Sequence, residues 1–157
     1  MAVADELTQL EQWAGPLLAK LAPAQRRQLA RSIAVDLRRS QQRRIAAQVT
    51  PDGTAYAARK RQVESLREKR GAVRRRKDAM FTKLRTTRWL KTNVTHEGLE
   101  VGFFGRVARL ARVHQEGGMD RVAPDGPMAK YPARRLLGFT STERAMVRDH
   151  VLVFLAN

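Results

Sequence analysis

An apolar run ends at Phe103-Phe104-Gly105, and a helical pattern begins at once. Within Val101–Gly117 (VGFFGRVARLARVHQEG), Val107, Leu110, Ala111 and His114 recur at i, i+3, i+4 and i+7, so they share one helical face. Arg106, Arg109 and Arg112 fall on the other side. Gly117-Gly118 closes the pattern, as a left-handed C-terminal cap does. The segment predicts a strand followed by a short basic helix, with Leu110 and His114 largely buried on its inner face.

The rest of the chain predicts helices around one hairpin. Residues 4–21 predict a short helix carrying Leu7, Leu10 and Trp13, bent at Gly15-Pro16, where the ring removes a helical donor. Pro23 suits the first turn of a second helix running to about Gln48. Leu29, Ile33 and Leu37, with Ala30 and Ala34, form its buried stripe, and Arg31, Arg38 and Arg39 lie mostly away from it. Thr50-Pro51-Asp52-Gly53 is a turn, because Pro fixes φ and Asp-Gly favours tight reversal. Met80, Phe81 and Leu84 predict a further helix within 80–90. Segments 86–95 and 99–104, parted by His96-Glu97-Gly98, predict a β-hairpin. Three prolines and a glycine make 123–132 a loop, with a short strand near 130–135. Thr140-Ser141-Thr142-Glu143 is a capping box that opens a last helix over 141–156. Its final turn is apolar on nearly every side, which suggests burial from two directions, one of them by a neighbouring subunit. The expected fold class is α+β: a small antiparallel sheet flanked by helices, with a long amino-terminal helix and a carboxyl-terminal helix. A chain of 157 residues fits one domain, with a helical part over 1–48, a basic mobile insert over 49–79 and an α+β core over 80–157.

The net charge of +16 is unevenly spread. Residues 1–22 carry −2, whereas residues 59–77 hold ten Lys/Arg against Glu64 and Glu68, a net +8. Such a block reads either as a polyanion contact or as a solvated, mobile loop. Arg59, Lys60, Arg61, Arg74, Arg75, Arg76 and Lys77 are the candidate nucleic-acid contacts. Few large apolar side chains accompany them, so this stretch is expected to be mobile in an isolated subunit. The charge binds phosphates without reading bases, and no zinc finger, helix-turn-helix or aromatic RNA-binding pair accompanies it. Trp89, Phe103, Phe104, Phe154 and Leu155 are the candidate contacts with other subunits or partners.

Catalysis finds little support. The chain has no cysteine, so it has no disulfide, thiolate metal site or thiol nucleophile. His96, His114 and His150 fall in a turn and on two different helices, with no HExxH and no close acid cluster, so no metal and no cofactor are expected. His114 reads as a packed structural histidine. No serine sits in a nucleophile elbow, and Gly102-x-x-Gly105 is no phosphate loop. No apolar run approaches membrane-spanning length and the amino terminus is polar, so assembly in the cytoplasm without export is expected.

Phe81-x-x-Leu84-Arg85, Val101-Gly102-Phe103, Gly105-Arg106-Val107-Ala108-Arg109, Val113-His114-Gln115 and Tyr131-Pro132-Ala133-Arg134 together resemble the virion-morphogenesis, or tail-completion, family of contractile-tailed phages. Leu17-x-x-Leu-x-Pro23-Ala-x-Arg26-Arg27 and Pro51-Asp52-Gly53 extend the resemblance towards the amino terminus. Gly105, Arg106, Leu110, His114 and Gln115 are its structural motif residues. The resemblance implies a structural, non-enzymatic virion protein of the tail–neck region, assembled in the host cytoplasm. It implies a homo-oligomeric, hexameric ring around the DNA channel that terminates the tail and helps join it to the head. Implied partners are the tail tube and sheath proteins, neck or head-completion proteins, and genomic DNA, with no membrane. The Arg/Lys-rich insert over 59–77 departs from the family pattern. A small, basic, non-specific nucleic-acid-binding protein is the alternative.

Overall fold

A computed structural model of the chain describes residues 2–59, 79–122 and 125–156. Helix α1 spans Ala2–Leu18 and α2 spans Pro23–Ala46. Strands β1 (Leu90–Val94) and β2 (Leu99–Phe103) follow, then a 3-10 turn over Gly105–Val107 and helix α3 over Ala108–Glu116. Strands β3 (Met119–Arg121) and β4 (Met128–Lys130) precede the last helix, α4, over Ser141–Ala156. The mixture is α+β, with two small antiparallel sheets among helices.

Helix α2 is the centre of the packing and touches both strands of the first hairpin and α4. Pro23 lies in its first turn, where its missing N–H costs nothing, and Gln25 Oε1 accepts from the Ala22 N–H at 2.9 Å. Leu29, Ile33, Ala34 and Leu37 are buried, as the periodicity requires. The same stripe continues through Gln41 and Arg44 to Ile45, so the helix buries a charge in its last two turns. Two apolar clusters result. Leu29, Ile33, Leu37 and Val151 join α2 to α4, and Ile45, Tyr56, Leu84, Leu90, Ala111 and Leu136 join α2 to the hairpin and α3. Val101 packs against both.

The first hairpin pairs Leu90 with Phe103 and Val94 with Leu99 across the His96-Glu97-Gly98 turn. The capping box also forms: Thr140 Oγ1 accepts from the Glu143 N–H at 3.0 Å, and Glu143 Oε2 accepts from the Thr140 N–H at 2.9 Å. Several elements differ from expectation. Helix α1 continues through Gly15 and Pro16 and ends at Leu18, short of the expected residue 21. Pro16 sits so near the end that the ladder loses little. No helix forms over 80–90. Phe81 takes φ +63, and both the N–H and the carbonyl of Met80 bond the Gln48 side chain, so the segment is a series of turns. The late strand is Met128–Lys130, inside the expected loop, and it pairs with β3 in a second hairpin.

Leu110 is a correction with a physical cause. It is 43% exposed, while Ala111 is 5% exposed. The chain makes a 3-10 turn before the α-helix starts at Ala108, and the core-facing stripe centres on Ala111. Leu110 lies about 100° round from it. The four apolar positions share a face, but only its Ala111 side meets the core.

Candidate functional site

Five of the residues that carry the family resemblance, Phe81, His114, Gln115, Tyr131 and Arg134, converge on one hub. Gln115 Oε1 accepts from the Leu136 and Leu137 N–H groups at 2.8 and 2.9 Å, and its Nε2 donates to the Leu137 carbonyl at 2.9 Å. The His114 carbonyl accepts from the Arg134 N–H. The His114 ring meets Phe81 and Tyr131 edge-on, with centroids 4.9 and 5.1 Å apart. Gly117 has φ +73, and a Cβ there would stand 2.8 Å from the Ala133 nitrogen, so glycine is required by both conformation and space. Helix α3 is thus bolted along the extended segment 131–137.

Arg134 is buried with no carboxylate partner among the described residues. Its Nε donates to the Ala57 carbonyl at 2.8 Å and its guanidinium to the Ala58 carbonyl at 3.1 Å. Burial, with Arg59 nearby, pulls its pKa below the ordinary value. Tyr56 is buried beside it, and desolvation pushes its phenol up to about 12. Gln48 completes the hub. Its carbonyl accepts from the Tyr56 N–H at 2.8 Å, while its amide side chain takes both polar groups of the Met80 backbone.

Burial also holds the His114 pKa below the ordinary 6.5, with Arg134 adding to the effect and Asp120 opposing it. Its Nδ1 is buried with no hydrogen-bond partner among the described residues. Folding therefore favours the neutral ring over the charged one. Below pH 6.5 the unfolded chain takes up a proton that the folded chain resists, so stability falls as pH falls. Thermal unfolding between pH 7 and 5 is expected to show this slope. A His114→Gln chain should lose it, whatever its absolute stability.

The candidate contact residues are distributed as follows. Arg59 is exposed, whereas Lys60, Arg61, Arg74, Arg75, Arg76 and Lys77 lie outside the described residues, as does the expected mobility of that stretch. Trp89 is half-buried, with the Arg88 and Arg106 guanidinium carbons 5.1 and 5.2 Å from its ring centroid. Phe103 packs on the hairpin cluster, and Phe104 is 40% exposed. Phe154 and Leu155 pack inward against the α2–α4 cluster; the outward apolar residues of that turn are Leu152 and Val153. An open, largely apolar groove of about 1280 Å³ separates α1 from the hairpin tip, lined by Leu10, Ala14, Leu18, Ile33 and Leu99 among others.

Two constellations were invisible in the sequence. Arg44 and Glu143, ninety-nine residues apart, form a buried ion pair with Nη1 at 2.9 and 3.0 Å from the two carboxylate oxygens. Ser32, His150 and Asp36 line up across α2 and α4, with Ser32 Oγ 3.3 Å from Nδ1 and Asp36 Oδ2 3.0 Å from Nε2. The order matches a nucleophile, a base and its orienter. Ser32 sits mid-helix, however, where backbone N–H groups are spent on the helical ladder and offer no oxyanion hole. The line therefore ties two helices together. The i, i+4 spacing of Ser32 and Asp36 was readable; their meeting with His150 was not. No group of three or more His, Asp or Glu among the described residues is placed to hold a metal ion. None of the described helices is long and apolar enough to cross a membrane.

The chain is 40% identical over 152 residues to the tail completion protein S of Escherichia phage P2, covering 96% of this chain and 98% of that one. No solved structure matches. The family model described as phage virion morphogenesis matches residues 5–156, nearly the whole chain, and the chain belongs to the phage virion morphogenesis family.

Proposed function

We propose that this chain completes the phage tail. It is a structural, non-catalytic subunit of the virion that terminates the tail and helps build its joint with the head. It acts as a homo-oligomeric, hexameric ring around the DNA channel, against the tail tube and sheath on one side and neck proteins on the other. The observation that carries the reading is the 40% identity, over nearly the full length of both chains, to a tail completion protein. The hub supports it, because His114, Gln115 and Arg134 hold a scaffold together. The +8 stretch over 59–77 supplies the charge for DNA passing the ring, with contacts diffuse enough not to hinder ejection.

Removing the gene from its phage is the test. Electron microscopy of the lysate is expected to show filled heads and unjoined tails, with joined particles restored when the chain is supplied in trans. Joined, infectious particles without it would overturn the reading. Sedimentation of nuclease-treated protein at low and high salt addresses the ring: a salt-stable hexamer supports it. A monomer that assembles only with nucleic acid favours a plain nucleic-acid-binding protein.

A further inference from the structure

Two acid-free stretches converge on Trp89. Residues 79–95 contain Lys83, Arg85, Arg88 and Lys91 with no Asp or Glu, and residues 101–115 contain Arg106, Arg109 and Arg112 with none. The register that sets Leu90 opposite Phe103 brings the residue before β1 and the turn after β2 to the same open end of the hairpin. There Arg88 and Arg106 both stack on the indole. Both are exposed, and neither meets a carboxylate among the described residues. Arg39, Arg44, Arg109 and Arg135, by contrast, each have an acid, and Arg134 has backbone carbonyls.

We infer that the Arg88–Trp89–Arg106 stack is a contact for the phosphodiester backbone of nucleic acid. A guanidinium stacked on an aromatic face has already given up part of its rotamer freedom and still offers in-plane N–H donors in the fork that suits phosphate. Unpaired cations side by side repel one another until an anion covers them. The long acid-free run favours a polymer of uniform negative charge over a protein patch, where acids come mixed with bases. Binding is sequence-independent, since the stack offers charge and no base-reading element. The inference rests on the proposed DNA channel only in naming duplex DNA as the natural polyanion.

The chain has two tryptophans, so Trp13→Phe leaves Trp89 as the sole indole reporter. In that background, a short mixed-sequence duplex is titrated across a salt series. Binding is expected to change Trp89 emission. Arg88→Gln with Arg106→Gln should weaken binding about tenfold or more near ~0.1 M salt and lower the log–log salt slope by about 1.8, the share of two phosphate contacts. The control pair, Arg26→Gln with Arg27→Gln on exposed positions of α2, should lower the slope much less. Equal losses in both pairs, or an unchanged slope, would overturn the site. Loss of self-association with DNA binding intact would instead assign the stack to a neighbouring subunit. Complementation of the gene deletion reads tail completion separately, so failure of the stack and failure of the proposed function remain distinguishable.

Discussion

A Glu143→Ala chain is expected to lose about 3–5 kcal/mol of folding stability, the cost of leaving one member of a buried ion pair alone. Glu143 is 2% exposed and Arg44 is 8% exposed, so water reaches neither well. The carboxylate does two jobs. It accepts the bifurcated bond from Arg44 Nη1, and its Oε2 closes the capping box on the Thr140 N–H. Arg44 Nη2 reaches the Gly138 carbonyl at 3.1 Å, which keeps a partner in the variant but not a counter-charge. Domains of this size hold only about 5–15 kcal/mol in reserve, so the variant should sit near the edge of folding. Urea unfolding measures the loss directly. Arg44→Met combined with Glu143→Leu should recover a good part of it, because the desolvation of both charges disappears with the pair. A single-variant loss below about 1 kcal/mol would mean the pair is solvated, contrary to its burial.

Gln115→Ala carries the second large effect, about 3–4 kcal/mol. Three hydrogen bonds vanish, and the N–H groups of Leu136 and Leu137 lose their acceptor where Leu136 is wholly buried. Each stranded buried donor costs about 1–3 kcal/mol, more than the net worth of an ordinary bond. Gln115→Glu separates the parts: the acceptor for both amides stays, and the donor to the Leu137 carbonyl goes. It should fall between wild type and Gln115→Ala in chemical denaturation. Hydrogen exchange at the Leu136 and Leu137 amides should accelerate most in Gln115→Ala. Protection there equal to wild type would show that another acceptor takes over.

What could be read from the sequence was local. The α2 stripe, the hairpin around His96-Glu97-Gly98, and the Thr140–Glu143 capping box each depend on residues within a few positions of one another. What could not be read involved distance. Phe81 is left-handed because Gln48, thirty-two residues before Met80, claims the Met80 backbone. Nothing near Arg44 in the sequence marks it for burial, because the partner that compensates it, Glu143, comes from α4 ninety-nine residues on. The choice of Ala111 over Leu110 turns on the phase of a helix whose first turn is 3-10, a detail that apolar spacing does not encode. Gln115 was legible as a motif residue, but its role was not: it serves backbone groups of Leu136 and Leu137, and no pattern within α3 announces that.

Gln48 has an implication for how such a chain diverges. One residue grips the chain at Tyr56, before the Arg/Lys-rich stretch, and again at Met80, after it. Arg134 adds a second grip on the upstream side at Ala57 and Ala58. Drift at position 48 is therefore constrained twice over, by its backbone carbonyl at Tyr56 and by its side-chain amide at Met80. A carboxylate there only accepts and an ammonium only donates, so Glu or Lys would keep at most one of the two Met80 bonds.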